Sequence, residues 1–188
     1  MIKQVPIFAT QDELIELIQK RSYREGDFTL ASGKKSGFYI DMKATTLSPQ
    51  GAWLIGHLAF DALKDLEFEG VGGLTLGADP IATAVSLIAY EKGHLWPAFI
   101  VRKEPKDHGT SQYVEGTENL KKGAKVIVLE DVVTTGGSGI KAVERLRAAG
   151  FNPIAVLTVV DREEGGEAAF KKLGLPLIKL VTLAQLRK

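Results

Sequence analysis

Cysteine is absent from this chain of 188 residues, which excludes disulfide staples, thiolate metal sites and a cysteine nucleophile. Net charge is almost absent too. With 24 Lys and Arg against 23 Asp and Glu the balance is +1, so nothing global draws the chain to nucleic acid or an anionic membrane. Any anion site must therefore be local. Long hydrophobic runs are also missing. The opening stretch, "MIKQVPIFATQDELIELIQKR", has no apolar core of signal-peptide length, and no segment is long enough to span a membrane. A cytoplasmic location is the expectation. Repeats, low-complexity tracts and linkers are lacking, so residues 1–188 are read as a single domain, a length that can bury a sizeable core.

What is present is ordinary globular material, 45% hydrophobic and 25% charged, with a clear change of rhythm along the chain. "TQDELIELIQKR" opens with a capping-box pattern, Thr10 to Glu13, and sets Leu14, Ile15, Leu17 and Ile18 on one face of a helix. "SPQGAWLIGHLAFDALKDL" begins a second helix with Ser48 as N-cap and Pro49 at its first position. Then come short segments apolar on both faces, at 71–76, 98–102, 125–130, 154–160 and 177–181. Strands read this way when helices cover a parallel sheet on both sides. "DPIATAVSLIAYEKG" and "SGIKAVERLRAAG" supply such helices. The expectation is an α/β fold, an open and mostly parallel sheet flanked by helices, with its ligand site beyond the carboxyl ends of the strands.

One strand end is unusual. In "VIVLEDVVTTGGSGI" (126–140) an apolar run meets two adjacent acids, Glu130 and Asp131, followed by Val132 and Val133 and a loop of small residues. Gly136, Gly137 and Gly139 let the backbone approach a ligand, and the hydroxyls of Thr134, Thr135 and Ser138 add donors. Between a strand and a helix start this makes a phosphate cradle. No lysine follows the glycines, so it is not a P-loop, and the spacing does not fit a dinucleotide fingerprint. Carboxylates repel phosphate but suit the two O–H donors of a vicinal diol. The string therefore describes a site for ribose 5-phosphate. It resembles the phosphoribosyl pyrophosphate motif of the type I phosphoribosyltransferases.

"VRKEPKDHGTSQYVEG" carries Arg102, Lys103, Lys106 and His108. By itself it reads as a solvated, mobile loop. Displacing diphosphate from an anomeric carbon builds charge on the leaving group, and cations closing over it while excluding water would help most. The arrangement Arg-Lys-x-x-Lys-x-His resembles the orotate phosphoribosyltransferase family. That resemblance implies that Arg102, Lys103, Lys106 and His108 contact the diphosphate, with Lys103 as the main catalytic cation. It also implies that Glu130, Asp131, Val132, Val133, Thr134, Thr135, Gly136, Gly137 and Ser138 bind the sugar phosphate.

Two further segments support the same family. "FTLASGKKSGFYIDMK" (28–43) is similar to its base-binding segment, where Phe38 and Tyr39 could stack on a pyrimidine. The chain has Ala31 where relatives often have a lysine, and neither Lys34 nor Lys35 inherits that role. "VVDREEGG" places Arg162 as the partner of the substrate carboxylate, a planar fork suited to it; the competing reading is a surface arginine paired with Glu163 or Glu164. Thr134 would also reach the pyrimidine. "LTLGADPIATA" (74–84) is similar to the diphosphate loop but has Ala78 and Asp79 for the usual tyrosine and lysine, so contact there should run through backbone N–H groups. His57 and His94 match nothing in the family pattern.

The resemblance implies the type I phosphoribosyltransferase fold, with an N-terminal base-binding hood at about 1–45 and a core at about 46–188. It further implies the substrates orotate and phosphoribosyl pyrophosphate, Mg²⁺ held mainly by substrate and water without protein metal ligands, and a homodimer. The basic loop would reach into the partner's site, so that Lys103 serves the other subunit. A phosphoribosyltransferase for another base, and a non-catalytic regulatory protein of the same fold, are the alternatives.

Overall fold

In the computed structural model, residues 8–29, 35–105 and 112–188 are described. The first helix, α1 (Gln11–Arg21), starts as the sequence predicts: the Thr10 hydroxyl accepts from the Glu13 N–H, and the Glu13 side chain returns to Thr10. A hairpin follows, β1 (Tyr23–Thr29) and β2 (Lys35–Ile40), forming a two-stranded antiparallel sheet of its own. A short helix, α2 (Lys43–Thr46), leads into α3 (Pro49–Leu63), whose N-cap Ser48 accepts from the Gly51 N–H at 3.1 Å.

The remainder alternates: β3 (Gly70–Leu74), α4 (Asp79–Glu91), β4 (Ala98–Val101), β5 (Val114–Glu115), β6 (Lys125–Val133), α5 (Gly137–Ala148), β7 (Asn152–Asp161), α6 (Gly166–Lys172), β8 (Leu177–Thr182) and α7 (Leu183–Leu186). The six-stranded sheet has the order β5-β4-β3-β6-β7-β8. All its pairings are parallel except β4 with β5. The open, mostly parallel α/β sheet is thus as expected. The antiparallel edge strand β5 and the helix α6 are additions to it.

Two cores cover the sheet, one on each face. Leu14, Leu17 and Ile18 of α1 join residues of α3 and α4 against Ile127, Leu129, Leu157 and Val159. Val126, Val128 and Val156 face the other way, toward Ala142, Val143 and Leu146 of α5 and Phe170 of α6. This alternation is the period of a strand, and it sets the directions in which the side chains at the end of β6 point.

Candidate active site

The sequence places the end of β6 at residue 130, whereas the strand runs on through Val133. It continues because β7 continues beside it: Glu130 pairs with Thr158, Val132 with Val160 and Val133 with Asp161. Glu130 and Asp131 therefore stand inside a strand and project to opposite faces. The Cγ of Glu130 lies 3.5 Å from where a Cβ on Gly139 would sit, on the α5 side. The Asp131 carboxylate meets Gly77, 2.6 Å from the position of a Cβ there. The expected side-by-side pair is instead two carboxylates on opposite faces of the strand, one toward Gly139 and one toward Gly77.

Glu130 is only 6% exposed, and its Oε1 is buried without a hydrogen-bond partner. Burial, reinforced by the charge of Asp131, pushes its carboxyl up to about 8. Asp131 is also raised by burial, against the Val132 N–H and the Lys43 ammonium, which favour its charged form. An orphaned oxygen of this kind suits an arriving O–H donor.

That oxygen belongs to a residue lining a cavity of about 240 Å³, together with Val132, Val133, Thr134, Thr135, Gly136, Gly137 and Ser138. The loop turns at Gly136, whose φ of 87° is left-handed, and no side chain caps the start of α5. The first amides of this helix thus lack an internal acceptor, and the positive end of the helix dipole lies with them. Gly137 has open space where a side chain would be, as a backbone cradle requires. Gly139 has a different reason. A Cβ there would lie 2.7 Å from the Phe170 ring, so its smallness serves the packing of α5 on α6 rather than ligand approach.

Beside the cradle, the chain from β3 to α4 turns through Gly77 and Ala78. The Thr75 hydroxyl donates to Asp79 Oδ2 at 2.7 Å, while Oδ1 is buried without a partner. A second cavity, of about 360 Å³, adjoins the cradle at Gly137 and Ser138; Leu74, Lys103, Lys141 and Arg145 complete its lining. Lys103 thus lines the cavity beside the cradle of its own chain. Arg102 does not line this cavity: its guanidinium pairs with Glu115 of β5 at 3.0 Å. Lys106, His108, Ala31 and Lys34 lie outside the described residues.

On the hood side, Phe38 is 6% exposed, stacked on Tyr23 with ring centres 5.8 Å apart. The guanidinium carbons of Arg162 and Arg187 each lie 4.5 Å from its ring centre. Phe38 is therefore not free to stack on a base. Alternation along β2 turns it inward and leaves Tyr39 outward against Phe28. Arg162 is no surface arginine, being mostly buried, but it does pair with Glu164 at 2.7 Å. Its main-chain N–H bonds to the Val133 carbonyl, and Gly166 N–H to the Thr134 carbonyl, so this turn is tied to the cradle. Lys43, Arg145 and Arg187 were not legible as site residues, because each sits in an ordinary polar segment of the sequence. His57 packs on Trp53 and His94 on Phe60 and Trp96, consistent with structural roles.

The comparisons agree with this geometry. Residues 55–173 match the phosphoribosyl transferase domain. An orotate phosphoribosyltransferase of Bradyrhizobium sp. (strain BTAi1) is 48% identical over 170 residues, covering 89% of this chain and 92% of that one. The chain belongs to the orotate phosphoribosyltransferase family. A Synechocystis orotate phosphoribosyltransferase is 46% identical over all of this chain and 93% of its own. Among solved structures, the Mycobacterium tuberculosis orotate phosphoribosyltransferase in complex with 5-phospho-alpha-D-ribosyl 1-diphosphate superposes with a TM-score of 0.78. It is 36% identical and covers 95% of this chain and 99% of that chain. A trypanosomal adenine phosphoribosyltransferase, 16% identical with a TM-score of 0.62, shares the fold alone.

Proposed function

We propose that this chain transfers the 5-phosphoribosyl group from phosphoribosyl pyrophosphate to orotate, giving orotidine 5′-monophosphate and diphosphate for pyrimidine nucleotide synthesis. The observation that carries the reading is the cradle. Uncapped amides at the start of α5 line one cavity with Glu130, whose Oε1 is buried without a partner. The amides suit a sugar's phosphate, and the acid suits a sugar hydroxyl. Asp131 approaches from the Gly77 side, next to the turn that would face the diphosphate.

In the reaction the bond from the anomeric carbon to the diphosphate oxygen breaks, and a bond from that carbon to the ring nitrogen of orotate forms. The proton on that nitrogen leaves to solvent or to the departing diphosphate, and the ready ionisation of the ring is the reason no dedicated base is assigned. Positive charge grows on the ribose as negative charge gathers on the leaving group. Lys103, with Lys141 nearby, supplies cationic stabilisation at the cavity adjoining the cradle. Arg102, Lys106 and His108 complete the basic set by family resemblance. Arg162 receives the orotate carboxylate once Glu164 gives way, and Thr134 bounds the base side.

Among the described residues no group of three or more His, Cys, Asp or Glu could hold a metal ion. We assign Mg²⁺ to the reaction by family resemblance, carried by the diphosphate and water as a hard cation that keeps several waters. It would neutralise charge gathering on the diphosphate. A cytoplasmic homodimer is part of the proposal; exposed Tyr90 and Leu95, lining one shallow cavity, supply apolar surface for a second copy. The test is loss of orotate absorbance on adding phosphoribosyl pyrophosphate and Mg²⁺. Orotate should be consumed and uracil left untouched. Turnover of uracil, or of neither base, would contradict the reading.

A further inference from the structure

Arg145 lies on the third turn of α5, and its guanidinium is committed to another part of the chain. Nη1 donates to the carbonyl of Arg102, and Nη2 donates to the carbonyl of Lys103 at 2.8 Å. Its central carbon sits 4.2 Å from the centre of the Tyr113 ring. Arg102 N–H bonds to the Tyr113 carbonyl at 2.7 Å, so the chain leaving β4 and the chain returning to β5 are held together at this point. One side chain therefore touches both strands of this neck. It does so from the helix whose first turn is the phosphate cradle.

The chemistry selects arginine. Two successive carbonyls face a planar fork with several N–H donors, and the same plane can stack on an aromatic face. A lysine's ammonium also has donors enough, but it lacks the planar fork that meets both carbonyls in one fixed geometry and has no plane to stack on Tyr113. Arg145 also has no acidic partner within salt-bridge distance among the described residues, so its hydrogen bonds go to these two carbonyls. Lys103 itself is exposed, and without this clamp its main chain would have several conformations to lose before its ammonium could meet the diphosphate.

We propose that Arg145 is a positioning residue for catalysis. It fixes the backbone of Arg102 and Lys103 to α5, so that the Lys103 ammonium is already at the mouth of the cradle when substrate arrives. This rests on the reading of Lys103 given above. Arg145 touches neither substrate in this role; it acts through Lys103. A preorganised cation costs no reorganisation during the reaction, and a misplaced one forfeits much of its effect.

The experiment is a cycle of Arg145→Ala and Lys103→Ala, singly and together, with Arg145→Lys and Arg145→Met alongside. Steady-state rates on orotate and phosphoribosyl pyrophosphate are measured together with Tm. Arg145→Ala should lower kcat on the order of 10- to 100-fold, with the KM for orotate and the Tm nearly unchanged. Arg145→Lys should recover part of the loss. Arg145→Met keeps the apolar stem and serves if the alanine variant folds poorly. In the Lys103→Ala background, replacing Arg145 should cost less than about twofold, because neighbours that act as a unit are not additive. An equal loss with and without Lys103, or a loss matched by a fall in Tm in both Arg145→Ala and Arg145→Met, overturns the proposal. Wild-type rates for Lys103→Ala alone would instead sink the role given to Lys103.

Discussion

Glu130 should make this protein lose stability as the solution becomes alkaline. Its carboxyl is raised from 4.5 to about 8 by burial and by Asp131 beside it. Between those values the folded protein holds a proton there that the unfolded chain has released, so folding is favoured by acid over this window. The contribution is fully present below the unfolded value and is lost as pH rises through about 8. Each tenfold in proton affinity is worth about 1.4 kcal/mol. The span from 4.5 to about 8 thus amounts to something on the order of 5 kcal/mol. Glu130→Gln keeps the shape and removes the titration. Urea unfolding of both proteins between about pH 5 and pH 9 gives a difference curve in which the other titrating groups cancel. The wild type should fall relative to Glu130→Gln across that range, by several kcal/mol in total. A flat difference curve, or one rising with pH, would refute the burial argument. The same logic extends to substrate. A sugar hydroxyl donating to Oε1 favours the charged acid, so binding of phosphoribosyl pyrophosphate should release protons near neutral pH, measurable by calorimetry in buffers of different ionisation enthalpy.

Other consequences can be tested alongside. Glu164→Gln removes the acid paired with Arg162 and should lower the KM for orotate several-fold; a raised KM would show that Glu164 holds Arg162 in place for the substrate. Gly139→Ala sets a methyl against the Phe170 ring and should cost about 1–3 kcal/mol in urea unfolding, whereas Gly137→Ala, with open space around it, should leave the fold untouched. Mixing subunits lacking Lys103 with subunits lacking Asp131 tests whether Lys103 serves the cradle whose adjoining cavity it lines: no recovered activity is expected, and recovery would place Lys103 in the partner's site.

The parallel sheet was readable because its strands are apolar on both faces, and Thr10 and Ser48 marked their helices by capping chemistry that local sequence shows directly. The true end of β6 was not readable. Two acids break the apolar run, and only the pairing of Val132 and Val133 with β7 carries the strand past them. That continuation decides which way Glu130 and Asp131 face, so the acids could be located but not their opposed directions. Phe38 and Tyr39 are equivalent as letters, and the pleat of β2 separates one into the core and one toward solvent. Gly139 and Gly137 likewise look alike in the loop, yet only Phe170, two elements further along the chain, tells them apart. Arg145 had no signal at all. Its partners are main-chain carbonyls, which every residue possesses, so no pattern of side chains announces the contact.

The cradle itself is most directly tested by amide resonances of nitrogen-labelled protein during titration with ribose 5-phosphate. Saturable shifts at Thr135, Gly136, Gly137, Ser138 and Gly139, absent with unphosphorylated ribose, are the predicted result. Shifts that saturate at another set of amides while these five stay still would contradict it.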